Sequence, residues 1–546
     1  MREIAELKFN SEARSKMIEG AKELSSAVSL TLGPKGKNVA IYRPGLRPHL
    51  TKDGVTVANS INLEDNFMNL GCQIVKEAAQ RSAEVAGDGT TTSTVLATSL
   101  LLDGHRLLET GYDPKQVILG MEAACSDVLD ILSETRIDLV DYEQLVSVAT
   151  ISANGEKELG ELIANAIEKV GADGPITVEN AKGFETVLEI VEGTVVTRGY
   201  LSPYFATDQA KGVAELEKTL VFIYNQTLTN AKTILPVLEY SASHNRSLLI
   251  IANDVTSEAL QTLVLNKMKG AISVCAIKAP EFGASRTQAL QDLAAICDAE
   301  VVAIDPGEAL DSDLSKILGS CEKVIVDKAG TLLVGTHGNR STIEERINSA
   351  KEALESIAVS DSESGVLKRR IRRLSDGIAI IKAGGSTEIE MLERKDRIDD
   401  ALCASKAAKK SGIQPGGGTA LVQAAKKLAK MRKKGNGENA ESFNSAYDVF
   451  LTACQAPLAQ IVYNAGEVPE IVLRKVKKSK SQTYGYDAKT GIFGDMFDMQ
   501  IIDPHDVVSS SIIHATSVAC NILSIGCAIS IEQEHVDGGY GLLEDL

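Results

Sequence analysis

The chain has 546 residues and a formal net charge of −17. One hydrophobic core stops growing near ~250–300 residues, so this length requires two or more domains, and the charge opposes general nucleic-acid binding because phosphates repel an acidic surface. Hydrophobic residues make up 44% and aromatics 4%, with no tryptophan, so the cores are aliphatic and suit helical layers and parallel strands.

In chain order, MREIAELKFN carries acidic residues and lacks an apolar leader core. No uninterrupted apolar run of about 18 residues follows, so no membrane association and a cytoplasmic location are expected. Apolar positions recur at helical spacing over 11–32 and 65–110, separated by the strand-like stretches Asn38 to Ile41 and Val55 to Val57. The first 134 residues therefore read as mostly helical. From about Thr150, short β-branched runs alternate with helical patterns: Ile176 to Glu179, Val187 to Val191, Leu220 to Tyr224, Leu248 to Ala252, Ile272 to Ile277 and Val301 to Ile304. That alternation indicates an α/β domain. Helix returns over Arg340 to Leu374, a strand interrupts at Ala379 to Ile381, and helix dominates from Arg394 to Leu473. The Gly-rich end, DGGYGLLEDL, reads as a frayed tail. The order helical, α/β, helical suggests that both chain ends form one domain interrupted by an insertion.

The cysteines Cys72, Cys125, Cys275, Cys297, Cys321, Cys403, Cys454, Cys520 and Cys527 are scattered, without C-x-x-C spacing or nearby histidines at ligand spacing. Reduced thiols are expected, with neither a zinc site nor a disulfide framework. The basic runs Lys426 to Lys434 and Arg474 to Lys480 read as solvated helix faces, with a basic patch as the alternative.

Gly87-Asp88-Gly89-Thr90-Thr91-Thr92 precedes a helical run. Glycines let backbone N–H groups approach an anion, a helix N-terminus favours negative charge, and the three hydroxyls can bond phosphate oxygens. Asp88 supplies a carboxylate where a phosphate-bound Mg²⁺ would sit. Taken alone, the segment is equally an ordinary capped helix start. Thr31-Leu32-Gly33-Pro34 and Gly416-Gly417-Gly418-Thr419 offer further close-approach backbone, while Thr51-Lys52-Asp53-Gly54 reads equally well as a hairpin turn. None fits a Walker or Rossmann pattern.

TLGPKGKNV, TKDGVTVA, AGDGTTTSTVLA, ISAN, RGYLSPYF, KAPEFG, RIDDAL, PGGGTAL and YGYDA, collinear and at these spacings, resemble the group I chaperonins, the GroEL family, over residues 4 to 530. The resemblance implies a multidomain α and α/β chaperonin fold: equatorial 1–134 and 411–530, intermediate 135–191 and 378–410, apical 192–377, and a flexible tail 531–546. It implies ATP held by Thr31, Leu32, Gly33, Pro34, Gly89, Thr90, Thr91, Thr92, Gly417, Asp503 and the base segment Asp487-Ala488-Lys489. Lys52 would stand beside K⁺, Asp88 on Mg²⁺, and Asp400, assisted by Asp53, would activate the attacking water. Polypeptide would bind an apical surface of Tyr200, Tyr204, Phe205, Leu235, Leu238, Leu260, Val264 and Leu265, although periodicity alone makes these stripes domain core. Implied partners are non-native polypeptides, further copies in a seven-subunit ring, single or double, and a co-chaperonin lid. Implied charge pairs are Arg198 with Glu388 and Glu156 with Arg397.

Three departures qualify the resemblance. Asp487-Ala488-Lys489 replaces the family's Asn-Ala-Ala, so adenine contacts differ because a carboxylate cannot donate. Val468 and Ala459 stand where an inter-ring ion pair is usual, which predicts a weakened or rearranged ring interface. The tail ends acidic instead of in Gly-Gly-Met repeats. A binding-only paralogue and a small-molecule ATP enzyme are the competing functions.

Overall fold

A computed structural model describes residues 2–42, 44, 49–171, 174–181, 183–209, 211–303, 313–355, 367, 370–371, 373–374, 377–431 and 440–534. The tail over 535–546, the basic residues 432–434 and Ile304 lie outside the described residues. The chain divides into two compact units. One joins Met1–Asn165, Asn180–Thr186 and Ala383–Leu546; the other joins Ala166–Glu179 and Val187–Lys382.

The first unit is mainly helical and draws its core from both chain ends. Helices Asn10–Val28, Asn66–Ala86, Thr90–Glu109 and Pro114–Thr135 pack with Ala440–Ala453 and His505–Leu523. Met17, Leu24, Leu96, Leu100, Met121, Leu132, Tyr447 and Phe450 are fully buried among them. Each such aliphatic side chain removed from water is worth about 1.5–3 kcal/mol. The Tyr447 hydroxyl donates to Asp127 Oδ2 at 2.8 Å, so this core satisfies its buried polar pair. His505–Leu523 is long and apolar enough to cross a membrane by composition. Its packing is that of a core helix, with Ile512, Ala515, Ala519 and Ile522 fully buried. Strand Arg2–Phe9 pairs antiparallel with Cys527–Glu534, Phe9 opposite Cys527, so the two ends of the described chain lie side by side.

The second unit is α/β. Its seven-stranded sheet runs Gly193–Val196, Thr331–Thr336, Gly319–Val326, Ala214–Leu228, Leu248–Val255, Val274–Lys278, with Val301–Val302 also beside Ala214–Leu228. Leu220 aligns with Leu248 and Leu248 with Val274 in parallel register, and the remaining long strands are antiparallel. Leu248–Ala252 is buried along its whole length, as a parallel strand covered on both faces must be. Helix Gly283–Cys297 buries Asp292 completely, and Arg346 and Arg370 pair with it at 2.7 and 2.6 Å. A three-stranded sheet orders Ile176–Asn180, Ile378–Ala383 and Val187–Val191.

Most sequence-predicted elements stand where expected, and the differences have local causes. Val55 to Val57, expected as a strand, is part of helix Gly54–Ser60. Asp53 caps it, accepting the N–H groups of Val55 at 3.0 Å and Thr56 at 2.7 Å, and this cap outweighs the β-branched preference. Ile272 lies outside its strand, which begins at Val274.

Helices Asn10–Val28 and Asn66–Ala86 cross through glycine. A Cβ on Gly71 would collide with the Met17 carbonyl, and one on Gly20 with the Met68 carbonyl. Because backbone cannot swing aside, Gly71→Ala should destabilise this unit by about 1–3 kcal/mol. Chemical denaturation checks it; an unchanged midpoint would contradict the close crossing.

Candidate functional site

Within the first unit, segments distant in sequence enclose a cavity of about 460 Å³. Every residue assigned above to nucleotide, cation or catalysis lines it: Thr31, Leu32, Gly33, Pro34, Lys52, Asp53, Asp88, Gly89, Thr90, Thr91, Thr92, Asp400, Gly417, Asp487, Ala488, Lys489 and Asp503.

Backbone conformation explains the convergence. Helix Thr90–Glu109 starts from Gly89, whose φ is +91°, and has no side-chain cap. Its first-turn N–H groups are thus left for a ligand at the positive end of the helix dipole. A Cβ on Gly87 would collide with Cys403, and one on Gly89 would stand 2.5 Å from Ser511 Oγ, so only glycine brings this loop to its depth. Opposite, Asn464 Nδ2 donates to the carbonyls of Ser29 at 2.8 Å and Leu32 at 2.9 Å, pinning the Thr31–Pro34 turn. Gly417 and Gly418 both hold positive φ, and the Gly416 N–H donates to the Ile501 carbonyl at 2.9 Å. Pairing of Ile413–Pro415 with Ile502–Pro504 sets Asp503 opposite Gln414, beside this glycine turn.

Carboxylates dominate the electrostatics. Asp88 Oδ1 accepts the Gly89 N–H at 2.5 Å and Oδ2 accepts the Ser152 hydroxyl at 3.4 Å. Burial nevertheless raises the Asp88 pKa, with Asp53 adding to it against those two bonds. Asp400, on helix Glu388–Ser411, is pushed up to about 9, first by burial and then by Asp88 and Asp53. Asp503 is pushed up to about 7, by burial and then Asp88, while the Gly417 N–H opposes the rise. Asp396, one helical turn before Asp400, is raised by burial and by Asp53. Among the described residues no cluster of three His, Cys, Asp or Glu side chains is arranged to hold a metal unaided. The donor set instead fits a divalent cation that arrives on phosphates and needs one or two carboxylates, with the phosphates on the uncapped helix start. The cradle that any Cβ would fill fits the same ligand.

Sequence reasoning missed Ser152, Asn154, Glu393, Asp396, Tyr486, Met499 and Ile501, which also line the cavity. The ISAN motif contained the first two, and helical spacing back from Asp400 would have found Asp396. Arg397 pairs with Glu156, as expected, and with Glu393 at 3.1 Å. Arg198 lies over the Phe282 ring, 5.1 Å from its centroid.

In the second unit the apolar surface is narrower than expected. Tyr204, Leu235 and Leu265 are exposed, while Tyr200, Leu260 and Val264 are half-buried against the core. Phe205 and Leu238 correct the expectation: both are buried in the core, because the inner faces of Pro203–Phe205 and Ala231–Ser243 pack on the sheet. Met268, which helical spacing from Val264 and Leu265 could have flagged, is 64% exposed. Lys267 Nζ donates to the Ala206 carbonyl at 2.6 Å and ties this helix end to the Tyr204 turn. Val468 is exposed at the start of helix Pro469–Lys478, and Ala459 is half-buried.

The sequence matches the TCP-1/cpn60 chaperonin family over residues 24–533. The chain belongs to that family. Two crystal forms of the chaperonin gp146 from bacteriophage EL 2 (Pseudomonas aeruginosa), both in the presence of ATP-BeFx, share the fold. One is 23% identical with a TM-score of 0.68, the other 24% identical with a TM-score of 0.63, and each alignment covers 96% of this chain and 99% of that one.

The raised carboxylates give a signed pH dependence. Unfolded, Asp400 is ionised at neutral pH; folded, its carboxyl is pushed up to about 9 and retains a proton, so its contribution is full below about pH 4 and is lost as pH rises through the folded value. Asp400→Asn mimics the protonated form. In thermal unfolding without ligand its melting temperature should exceed wild type by a few degrees at pH 8.5, with the gap closing toward pH 5. A gap constant with pH would contradict the cluster.

Proposed function

We propose that the chain is an ATP-hydrolysing chaperonin that binds non-native polypeptides on its α/β unit and releases them through nucleotide-driven rearrangement. The observation that carries this reading is the single cavity in which an uncapped helix N-terminus, three glycine turns and a half-buried carboxylate cluster converge. Triphosphate fits the Gly89–Thr92 helix start, and Gly417 with Asp503 fit the nucleoside end. Mg²⁺, bound through Asp88 and the phosphates, would neutralise charge developing on the transferred phosphoryl group. Asp400 would accept the proton of the attacking water, a role its raised affinity for protons suits once the metal is in place. Asp53 would orient the metal-side water while its cap keeps Gly54–Ser60 in register. Lys52 would stand beside a monovalent cation.

Family membership supports an oligomeric ring, and seven subunits is the reading we adopt, with equatorial, intermediate and apical domains bounded as the resemblance implies. Val468 and Ala459 lack the charges of the usual inter-ring pair, which supports a weakened contact between rings, and a cytoplasmic location and a lid partner belong to the same reading. On the apical unit the polypeptide surface would be Tyr204, Leu235, Leu265 and Met268. Repeated around a ring, exposed apolar groups bind unfolded chains multivalently and without sequence preference.

Asp400→Ala should lower the ATP turnover rate by about 10²–10⁴-fold while nucleotide binding persists. A steady-state phosphate-release assay reads this, and an unchanged rate would remove Asp400 from the chemistry. Leu265→Ser with Met268→Ser should abolish capture of a denatured test protein in a light-scattering assay and leave ATP turnover in place. Undiminished capture would move the binding surface elsewhere.

A further inference from the structure

The base segment departs from the family at Asp487 and Lys489, and its geometry separates the two. Tyr484–Asp487 and Ile492–Asp495 form a hairpin. Asp487 spends its carboxylate inside the turn. Oδ1 accepts the Lys489 N–H at 2.8 Å, Oδ2 accepts the Thr490 hydroxyl at 2.5 Å, and the Gly491 N–H closes on the Asp487 carbonyl at 2.8 Å. A carboxylate so engaged has no proton to donate and fixes the turn instead of reading a base edge.

The fixed turn directs Lys489 across the cavity mouth. Its Nζ lies 3.5 Å from the point where a Cβ on Gly155 would stand. Asn154 and Gly155, with φ of +58° and +85°, form the turn after helix Tyr142–Ser152 and also line the cavity. This turn has two connections to the chemistry. Ser152 donates to Asp88, and Glu156 pairs with Arg397, one helical turn before Asp400. Lys489 itself enters no ion pair among the described residues. The Asn154–Gly155 turn is the backbone that stands beside its ammonium.

We propose that Lys489 is a positioning residue that clasps the Asn154–Gly155 turn over bound nucleotide, while Asp487 sets the turn that aims it. The clasp joins the base wall to the segment supporting Asp88 and Asp400. It holds nucleotide in and keeps the carboxylates in place during hydrolysis. The inference rests on the ATP reading of the same cavity.

The test follows release of a fluorescent ADP analogue by stopped flow, together with KM and kcat for ATP. Lys489→Met keeps the apolar stem and removes the ammonium. It should speed release roughly tenfold, the scale of one charge-assisted hydrogen bond, and raise KM more than it lowers kcat. Lys489→Arg should restore most of the slow release. Asp487→Ala, which frees the turn, should speed release in the same direction. Release from Lys489→Met at the wild-type rate overturns the clasp, as does an Asp487→Ala variant that changes ATP-over-GTP preference with release unaltered. If wild-type protein binds no nucleotide, the ATP reading itself fails, and that outcome is distinct because it appears before any substitution.

Discussion

The close approach of the Gly87–Gly89 backbone to helix His505–Leu523 and to Cys403 sets the depth of the whole cavity. It joins a loop from the first quarter of the chain to helices from its last third, and any side chain at either glycine would force them apart. Two results follow from it. Helix Thr90–Glu109 begins without a side-chain cap, leaving N–H groups for an anion, and Asp88 is held half-buried among other carboxylates. The anion-seeking and cation-seeking halves of the site are thus adjacent residues of one loop.

This arrangement stores electrostatic tension. Burial raises the proton affinity of Asp88, Asp400 and Asp503; the Asp53 carboxylate adds to it at Asp88 and Asp400, and Asp88 adds to it at Asp400 and Asp503. Charge withdrawn from water is costly unless paired, so these three carboxyls are shifted toward their protonated forms, and a cation-bearing anion would relieve the repulsion. Helix Glu388–Ser411 carries Asp400, and Ser152, whose hydroxyl donates to Asp88, directly precedes the Ala153–Gly155 segment, so both segments are coupled to the cluster. Arg397, shared between Glu156 and Glu393, transmits the placement of one to the other.

Much of this was legible in the sequence, for physical reasons. Glycine pairs beside hydroxyl or acidic residues mark backbone that must approach a ligand, and the collinear motifs contain the assigned cavity residues other than Lys489 and Asp503. The alternation of β-branched runs with helical patterns gave the α/β unit because its parallel strands are buried on both faces. What local pattern could not give were features set by distant partners. Asp53 turns Val55 to Val57 into helix through a cap, and Arg2–Phe9 becomes a strand only because Cys527–Glu534 lies beside it. Leu238 and Leu235 share a helical stripe, yet one faces the sheet and the other solvent, a distinction periodicity blurs at the stripe's edge. Asp487 lines the cavity as expected of the base segment, and its bonds to the Lys489 N–H and the Thr490 hydroxyl are set by a turn that the motif does not specify.

As an ATPase the chain would bind ATP in one cavity of the first unit, with its phosphates on the Thr90 helix start and Asp400 at the hydrolytic water. A crystal structure with a non-hydrolysable ATP analogue and Mg²⁺ tests it most directly. The account predicts phosphate oxygens on the amides of Gly89 to Thr92, the metal on Asp88, and Asp400 within one water of the terminal phosphate. Nucleotide bound outside this cavity, or phosphates turned away from the glycine loop, would contradict it.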